Sequence, residues 1–315
     1  MLTSKYMNTS DQNLKKNILI TGASGLIGTK LIRNLQEKGH VVSVLSRNPG
    51  KLNGVKAFQW NVEEQIIDKE ALNGVDTIIH LAGAGIADKR WTKTRKQLII
   101  DSRVLSTKLL YKAIEETQAQ VKTIISASAV GFYGDRADEI LNENSSNGTG
   151  FLADCCQQWE NAVEEGLKFG ARLVKLRIGL VLSKQGGALT KLETPVSLFL
   201  GAPLGSGKQW MPWIHVTDLL AIFEKAIENP EYSGTYNACS PIPVTNFEFT
   251  KILAKTLFRP VWPIKVPEFV LKAVLGEMSA VILTSNRTSS QKLIDTGFKF
   301  RYAGLDKALK EIYSH

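Results

Sequence analysis

Thr21-Gly22-Ala23-Ser24-Gly25-Leu26-Ile27-Gly28 is the stretch that decides how the chain folds. Before it stands Asn17-Ile18-Leu19-Ile20, a short β-branched run that reads as a strand. After it, Leu26, Ile27, Leu31, Ile32 and Leu35 recur at helical spacing, and Gly39 ends the helix. The three glycines carry separate tasks. Gly22 makes a tight turn straight out of the strand. Gly25 lets the backbone approach a pyrophosphate, because no Cβ is in the way. Gly28 lets the helix lie close on the sheet. The helix N-terminus then turns free N–H groups and its positive dipole end toward the phosphates. The spacing is GxxGxxG rather than GxGxxG, and Ala23, Ser24, Leu26 and Ile27 complete the expected cradle.

The next strand, His40-Val41-Val42-Ser43-Val44-Leu45, ends in Ser46-Arg47. In a βαβ unit this strand end lies beside the adenosine ribose. An acidic residue there would hold the free 2′-hydroxyl of NAD. The hydroxyl and guanidinium found instead suit the 2′-phosphate of NADP. Asn48-Pro49-Gly50 is a turn signal that keeps Arg47 near the sheet edge.

Composition narrows the class. The 315 residues suffice for one large or two small domains, and 43% hydrophobic with 22% charged residues is ordinary for a soluble globular protein. No apolar run approaches the ~18 residues that span a membrane. Residues 1–15 are polar, lack an apolar signal core and read as a frayed tail. The net charge of +9 is scattered, with no run of five lysines or arginines. That argues against nucleic acid and for a surface field that favours phosphate-bearing ligands. The three cysteines, adjacent Cys155 and Cys156 and isolated Cys239, form neither a disulfide framework nor a metal motif. A reducing cytoplasm, no metal and no membrane partner are the expectations.

Strands and helices alternate through the first half. Val55–Trp60 reads as a third strand and Asp76–Ala82 as a fourth, running into Gly83-Ala84-Gly85. A long helix follows at 91–117, then a strand at 121–128, a helix at 150–169 and a strand at 172–177. This pattern predicts an α/β fold, a Rossmann-type doubly wound parallel sheet, with ligands at the carboxyl ends of its strands. Beyond residue 180 the chain becomes loop-rich around a short amphipathic segment, 189–200. A helix at 217–228, a strand at 234–238 and a helix at 245–258, opened by a Thr245/Glu248 capping box, come next. The expected division is an NADP-binding domain at 16–185, with 214–240 returning to it. A smaller, discontinuous C-terminal substrate region is made of 186–213 and 241–315.

His80-Leu81-Ala82-Gly83 follows the fourth strand, and Ser126-Ala127-Ser128-Ala129 leads to Tyr133-Gly134 after the fifth. With the glycine loop, these make the chain resemble the extended short-chain dehydrogenase/reductases. Arg90-Trp91-Thr92, Ser102-Arg103, Trp159-Glu160, Gly205-Ser206-Gly207-Lys208-Gln209-Trp210, Trp213-Ile214-His215 and Gly297–Tyr302 resemble a narrower group, the atypical "epimerase family" proteins. The likeness spans roughly residues 16–314 and implies a nicotinamide cofactor near Ser128 and His80–Gly83.

The departures matter as much. The resemblance calls for a Tyr-x-x-x-Lys pair on the helix after the fifth strand, yet none of the seven tyrosines has a lysine four residues on. Aligning on Glu160 puts Leu152 and Cys156 at those positions. Arg103 stands where the family keeps an active-site asparagine, while Ser128 matches its Ser/Thr. The proton-transfer machinery is therefore either rebuilt or lost. Ser128 either bonds a substrate oxygen or caps its strand. Tyr133 is the nearest replacement phenol or a core residue. His215 is a proton carrier or a structural hydrogen-bonder. Cys156 packs, unless a nearby cation makes it a thiolate. Arg103 reads as a cofactor or anion ligand, and Asn61 as a partner for the adenine edge. The expected function is an NADP(H)-dependent oxidoreductase or epimerase-like enzyme acting on a small molecule. The alternative is an NADP-binding regulatory protein without turnover.

Overall fold

The computed structural model describes residues 15–52 and 54–314, so the expectation for the 1–15 tail lies outside the described residues except at Lys15. Strands β1 (Asn17–Thr21), β2 (Val41–Ser46), β3 (Lys56–Asn61), β4 (Ile66–Ile67), β5 (Thr77–His80) and β6 (Thr123–Ala129) come first. A short β7 (Ile140–Leu141) precedes β8 (Arg172–Ile178), β9 (Leu180–Leu182), β10 (Trp210–Met211), β11 (Trp213–His215) and β12 (Gly234–Ala238). The main sheet has eight strands in the order β12-β8-β6-β5-β1-β2-β3-β4. All its pairings are parallel except that of β4, which lies antiparallel on β3. Strand order reverses between β1 and β5, the position at which sheets of this kind form a crevice at their carboxyl ends.

Alternation explains why both faces are covered. Ile18, Ile20, Ile79 and Ile125 belong to one buried cluster, and their neighbours Leu19, Ile78 and Ile124 to another. Runs that are apolar on both faces are the mark of a buried parallel sheet. Helices α1 (Leu26–Glu37), α2 (Lys93–Thr117), α3 (Phe151–Glu164), α4 (Ala188–Ser197), α5 (Val216–Glu228) and α6 (Asn246–Thr256) follow in chain order. Leu31 and Leu35 of α1 and Ile222 and Phe223 of α5 join the first cluster, while Leu109, Leu110 and Ile114 of α2 join the second. Helix α3 lies beside α2. A third cluster joins Leu182, Leu189 and Trp213 to Phe249 and Leu253 of α6 and Leu305 and Leu309 of α10 (Leu305–Tyr313). Between α6 and α10 run α7 (Glu268–Leu275), α8 (Ala280–Leu283) and α9 (Gln291–Asp295).

The expected capping box on α6 is present, with Thr245 and Glu248 bonding reciprocally. His215 is the N-cap of α5. Its Nδ1 accepts the Thr217 N–H at 3.2 Å, so Nε2 carries the hydrogen and donates to Glu311 of α10 at 2.9 Å. The ring is 2% exposed and locks two helices together, the structural one of its two expected roles.

A denser hub sits at the crevice. The Thr21 hydroxyl oxygen accepts the N–H groups of Leu81 at 3.0 Å and Ala82 at 3.1 Å. Its lone pairs are then used, so its hydrogen goes to His80 Nδ1, 2.8 Å away. His80 Nε2–H in turn faces Ser106 Oγ at 3.2 Å and Thr107 Oγ1 at 3.1 Å, both of which donate to the Arg103 carbonyl. Every polar atom of the imidazole is satisfied in the neutral form. Burial holds its pKa down at about 4.

Two outcomes follow from that hub. Thr21→Val keeps the shape but strands two buried N–H groups and the imidazole nitrogen. It should cost about 1–3 kcal/mol or more in urea unfolding, and a loss under about 0.5 kcal/mol would contradict the arrangement. A His80 ring whose pKa is depressed on folding contributes stability that is whole above about pH 6.5 and disappears as pH falls toward about 4. The loss amounts to roughly 3 kcal/mol by linkage. An NMR titration of the ring that shows a midpoint near pH 6.5 in the folded protein would refute it.

Candidate functional site

The glycine loop caps the crevice. Gly22 has φ +69°, and a Cβ there would lie 2.7 Å from the Leu81 carbonyl carbon. A Cβ on Gly28 would lie 2.4 Å from the Gly22 carbonyl oxygen. Both glycines are therefore demanded by the protein's own backbone. Gly25 is different. Its φ of −77° suits any residue, and a Cβ would meet only the Gly22 carbonyl oxygen, at 3.3 Å. Beyond that one tight contact no other protein atom lies within 4 Å of the position. As N-cap of α1 it supplies no side-chain hydrogen bond, and the first turn of the helix has no acidic residue. Uncapped N–H groups behind an open glycine fit a pyrophosphate. Ser24 is exposed at the rim, Ala23 is buried beneath the loop, and Leu26 and Ile27 are half-buried. A Cβ on Gly187 would lie 3.1 Å from Leu26 Cδ2, so the 186–187 loop reaches back over the cradle.

At the end of β2, Ser46 Oγ accepts the Asn48 N–H at 3.1 Å, which leaves its own hydrogen available. Gln59 Nε2 donates to the Arg47 carbonyl at 3.2 Å and fixes the backbone of that residue. The Arg47 side chain is exposed and has no ion-pair partner among the described residues. Asn61 ends β3, and its Oδ1 accepts the Glu63 and Glu64 N–H groups at 3.0 and 3.4 Å. Leu81, Ala82 and Gly83 line the far lip of the crevice. The His80 side chain, by contrast, turns inward to the hub described above and offers a cofactor only its backbone position.

Arg103 is the most unusual charge in the region. It is 8% exposed, and its burial lowers its pKa. Its Nη1 donates to the Ile99 carbonyl at 2.8 Å, and its guanidinium carbon lies 5.1 Å from the centre of the Trp159 ring. A Cβ on Gly83 would lie 3.0 Å from that carbon, so the arginine packs closely on the backbone at 83. Among the described residues it has no carboxylate partner. A buried cation without a counter-ion is costly and is stabilised by an arriving anion.

Ser128 and Tyr133 lie together but face inward. Ser128 Oγ donates to Glu160 Oε1 at 2.7 Å. Glu160 also takes two bonds from Arg177, at 2.8 and 2.9 Å, and one from Lys175 at 3.2 Å. Burial would raise the pKa of this carboxyl, but Arg177, Lys175 and Ser128 together hold it below its usual value. The Tyr133 hydroxyl donates to Asn237 Oδ1 at 2.6 Å and accepts from Arg177 Nη1 at 3.0 Å. Its ring is fully buried, and burial pushes its pKa up to about 12 against the opposing influence of Arg177. Burial likewise pushes the Cys156 thiol up to about 12, which leaves it protonated at neutral pH. Sequence reasoning passed over Arg177 and Lys175. Their signal was present, since two cations inside an apolar strand run need buried partners.

A cleft of about 560 Å³ opens at the end of β6. Its walls are the 131–135 turn, the start of α3 and the α7–α8 segment. Trp91, Phe151, Leu152 and Leu283 give it an apolar lining. Leu152, which stands at the family's tyrosine position, faces this cleft. Cys156 lies behind, where a Cβ on Gly131 would touch both Leu152 and the Cys156 sulfur. Among the described residues no cluster of His, Cys, Asp and Glu could hold a metal, and no helix is long and apolar enough to cross a membrane.

Residues 18–151 match the NAD dependent epimerase/dehydratase family, and residues 266–312 match a domain of unknown function, DUF1731. Epimerase family protein Mb2239 of Mycobacterium bovis is 39% identical over 294 residues, covering 93% of this chain and 96% of its own. The crystal structure of human epimerase family protein SDR39U1 with NADPH superposes with a TM-score of 0.83 at 30% identity, covering 95% of this chain and 99% of that one. Thermus thermophilus UDP-glucose 4-epimerase, in complex with NAD, shares the fold at 18% identity and a TM-score of 0.71. These likenesses run over nearly the whole chain, and the chain belongs to the epimerase family proteins, atypical members of the short-chain dehydrogenase/reductase superfamily.

Proposed function

We propose that the chain is an NADP(H)-dependent oxidoreductase or epimerase-like enzyme that acts on a small molecule in the cleft at the end of β6. One observation carries the choice of cofactor. Strand β2 ends in Ser46 and an exposed, unpaired Arg47, with no carboxylate to hold a free ribose hydroxyl. A guanidinium and a hydroxyl bind a 2′-phosphate through charge-assisted hydrogen bonds. The NADPH found with the human relative agrees with this reading.

In this reading the pyrophosphate lies over Gly25 on the α1 N-terminus, and Arg103 is the buried cation that receives an anionic or electron-rich part of the bound pair. The cofactor, when bound, supplies hydride exchange at its nicotinamide. The chain orients it through Leu81–Gly83 and keeps water away with Leu152, Phe151 and Trp91. Ser128 and Tyr133 act through position. Their hydrogens are committed to Glu160 and Asn237, so they hold the β6 end and the 130–134 turn rather than exchange protons with a substrate. A regulatory reading draws on Leu152 and Cys156 standing in place of Tyr and Lys. The apolar cleft beside them, about 560 Å³ in volume, favours an enzyme.

NADPH should bind more tightly than NADH, by roughly tenfold or more if one charge-assisted bond contributes about 1.5–3 kcal/mol. Arg47→Ala should remove most of that preference in a fluorescence titration. Equal affinities in the unaltered protein would contradict the assignment. Gly25→Val should abolish cofactor binding while circular dichroism and melting stay near normal, since the protein itself barely fills that space. Retained binding would place the dinucleotide elsewhere. Tyr133→Phe should lose about 1–2 kcal/mol of stability from the Asn237–Arg177 network, yet keep the turnover of any carbonyl the unaltered protein reduces. A loss of turnover with unchanged stability would return Tyr133 to the chemistry.

A further inference from the structure

The charges around the cleft say what it accepts. Its lining holds one ammonium, Lys272, and three carboxylates, Asp135, Glu268 and Glu277. Lys272 Nζ lies 2.6 Å from Glu268 Oε1 on the same helix, so its charge is already matched. Glu277 is matched by Lys96 at 2.7 Å, the cation nearest the Phe151 wall. Asp135 remains. It accepts the Ala137 N–H at 3.1 Å and has no ion-pair partner among the described residues. Other nearby cations are engaged elsewhere. Arg136 pairs with Glu139 at 2.7 Å, Arg95 with Asp88 at 3.6 Å, and Arg90 donates to the carbonyls of Ala273 and Val274 at the end of α7. Arg103 is absent from the lining and lies on the cofactor side, against Gly83.

The cleft therefore presents net negative charge over an apolar floor. Trp91 and Phe151 form one wall, packed edge to face with ring centres 4.7 Å apart, and Leu152 and Leu283 extend it. A nucleoside diphosphate brings about two negative charges, which need several cationic or N–H donors in a partly enclosed site. Among the described residues no unpaired side-chain cation lines the cleft to receive them; the N–H groups at the uncapped start of α3 are the donors in its wall, and Asp154 in that first turn and Asp135 in the lining oppose an anion there. A volume of about 560 Å³ lies in the range of sites for drug-sized molecules.

We infer that this cleft takes an apolar carbonyl compound, or the matching alcohol, that carries no negative charge, and that it rejects nucleoside-diphosphate sugars. The inference rests on the proposed oxidoreductase reading for its chemistry, and on the cleft alone for its selectivity. Asp135 is the specificity-determining residue, because its charge is the one in the lining that nothing neutralises.

The test uses the full chain loaded with NADPH, with cofactor binding measured first. Binding of 2-naphthaldehyde, of its ring-carboxylated analogue and of UDP-glucose is then followed by calorimetry. The neutral aldehyde should bind at least tenfold more tightly than the carboxylated one, and UDP-glucose should show no saturable binding. Asp135→Asn should narrow the gap between the two aldehydes several-fold, and Leu152→Gln should weaken the neutral aldehyde. Saturable UDP-glucose binding weakened by Leu152→Gln would overturn the inference, as would equal affinity for the two aldehydes or no binding of either. Failure of NADPH to bind would instead strike the cofactor reading, and the aldehyde comparison still reads the cleft in cofactor-free protein.

Discussion

The Thr21 hydroxyl holds the crevice on which everything else in the site depends. It joins the last residue of β1 to the backbone just beyond β5, the two strands between which the sheet changes direction. By accepting the Leu81 and Ala82 N–H groups it sets the lip of the crevice, and by donating to His80 it ties that lip to α2. The glycine loop then has no freedom. Gly22 must turn against the Leu81 carbonyl, and Gly28 must sit on the Gly22 carbonyl. Only Gly25 is left with a single neighbouring atom at its Cβ position, and the space beyond it is what a phosphate group needs.

A second constraint works at the other end of the crevice. Glu160 on α3 gathers Ser128, Lys175 and Arg177, and Arg177 goes on to Tyr133. The Arg177 guanidinium also sits 3.5 Å from the centre of the Phe132 ring. Buried ion pairs of this kind contribute little net energy, but removing one partner is costly because the other charge is left uncompensated. Their effect here is positional. They fix the turn after β6 and the start of α3 relative to each other, and those two segments form one side of the cleft. Trp91 contributes another side, held by the bond from its Nε1 to the Ile86 carbonyl, 2.9 Å long, beside Arg90, which bonds the α7 carbonyls.

Much of this was legible in the sequence, for identifiable reasons. The β-branched runs at 17–20, 77–80 and 123–129 are apolar on both faces, so a buried parallel sheet was the only economical reading. The glycine spacing marked the turn and helix start after β1, and the absence of an acid after β2 is the feature on which the proposed preference for NADP rests. The two-residue strands β4, β7 and β10 escaped because they are too short to have a period. His80 looked like part of the proposed cofactor lip because it directly precedes Leu81–Gly83. Its ring turns inward only because Thr21, Ser106 and Thr107, distant in sequence, meet there. Tyr133 looked available by proximity to Ser128, and its burial against Asn237 depends on β12, about a hundred positions later. The cleft's acidic lining comes from Asp135 and from α7, two segments that no local pattern connects.

The proposed function puts a dinucleotide along the strand ends, with its nicotinamide opening into the cleft beside Leu152. A crystal structure of the chain grown with NADPH tests it most directly. The 2′-phosphate should lie against Arg47 and Ser46, the pyrophosphate over Gly25, and the nicotinamide edge should be exposed to the space between Leu152 and Trp91. A nicotinamide turned away from that space, or an adenine end held anywhere other than the end of β2, would contradict it.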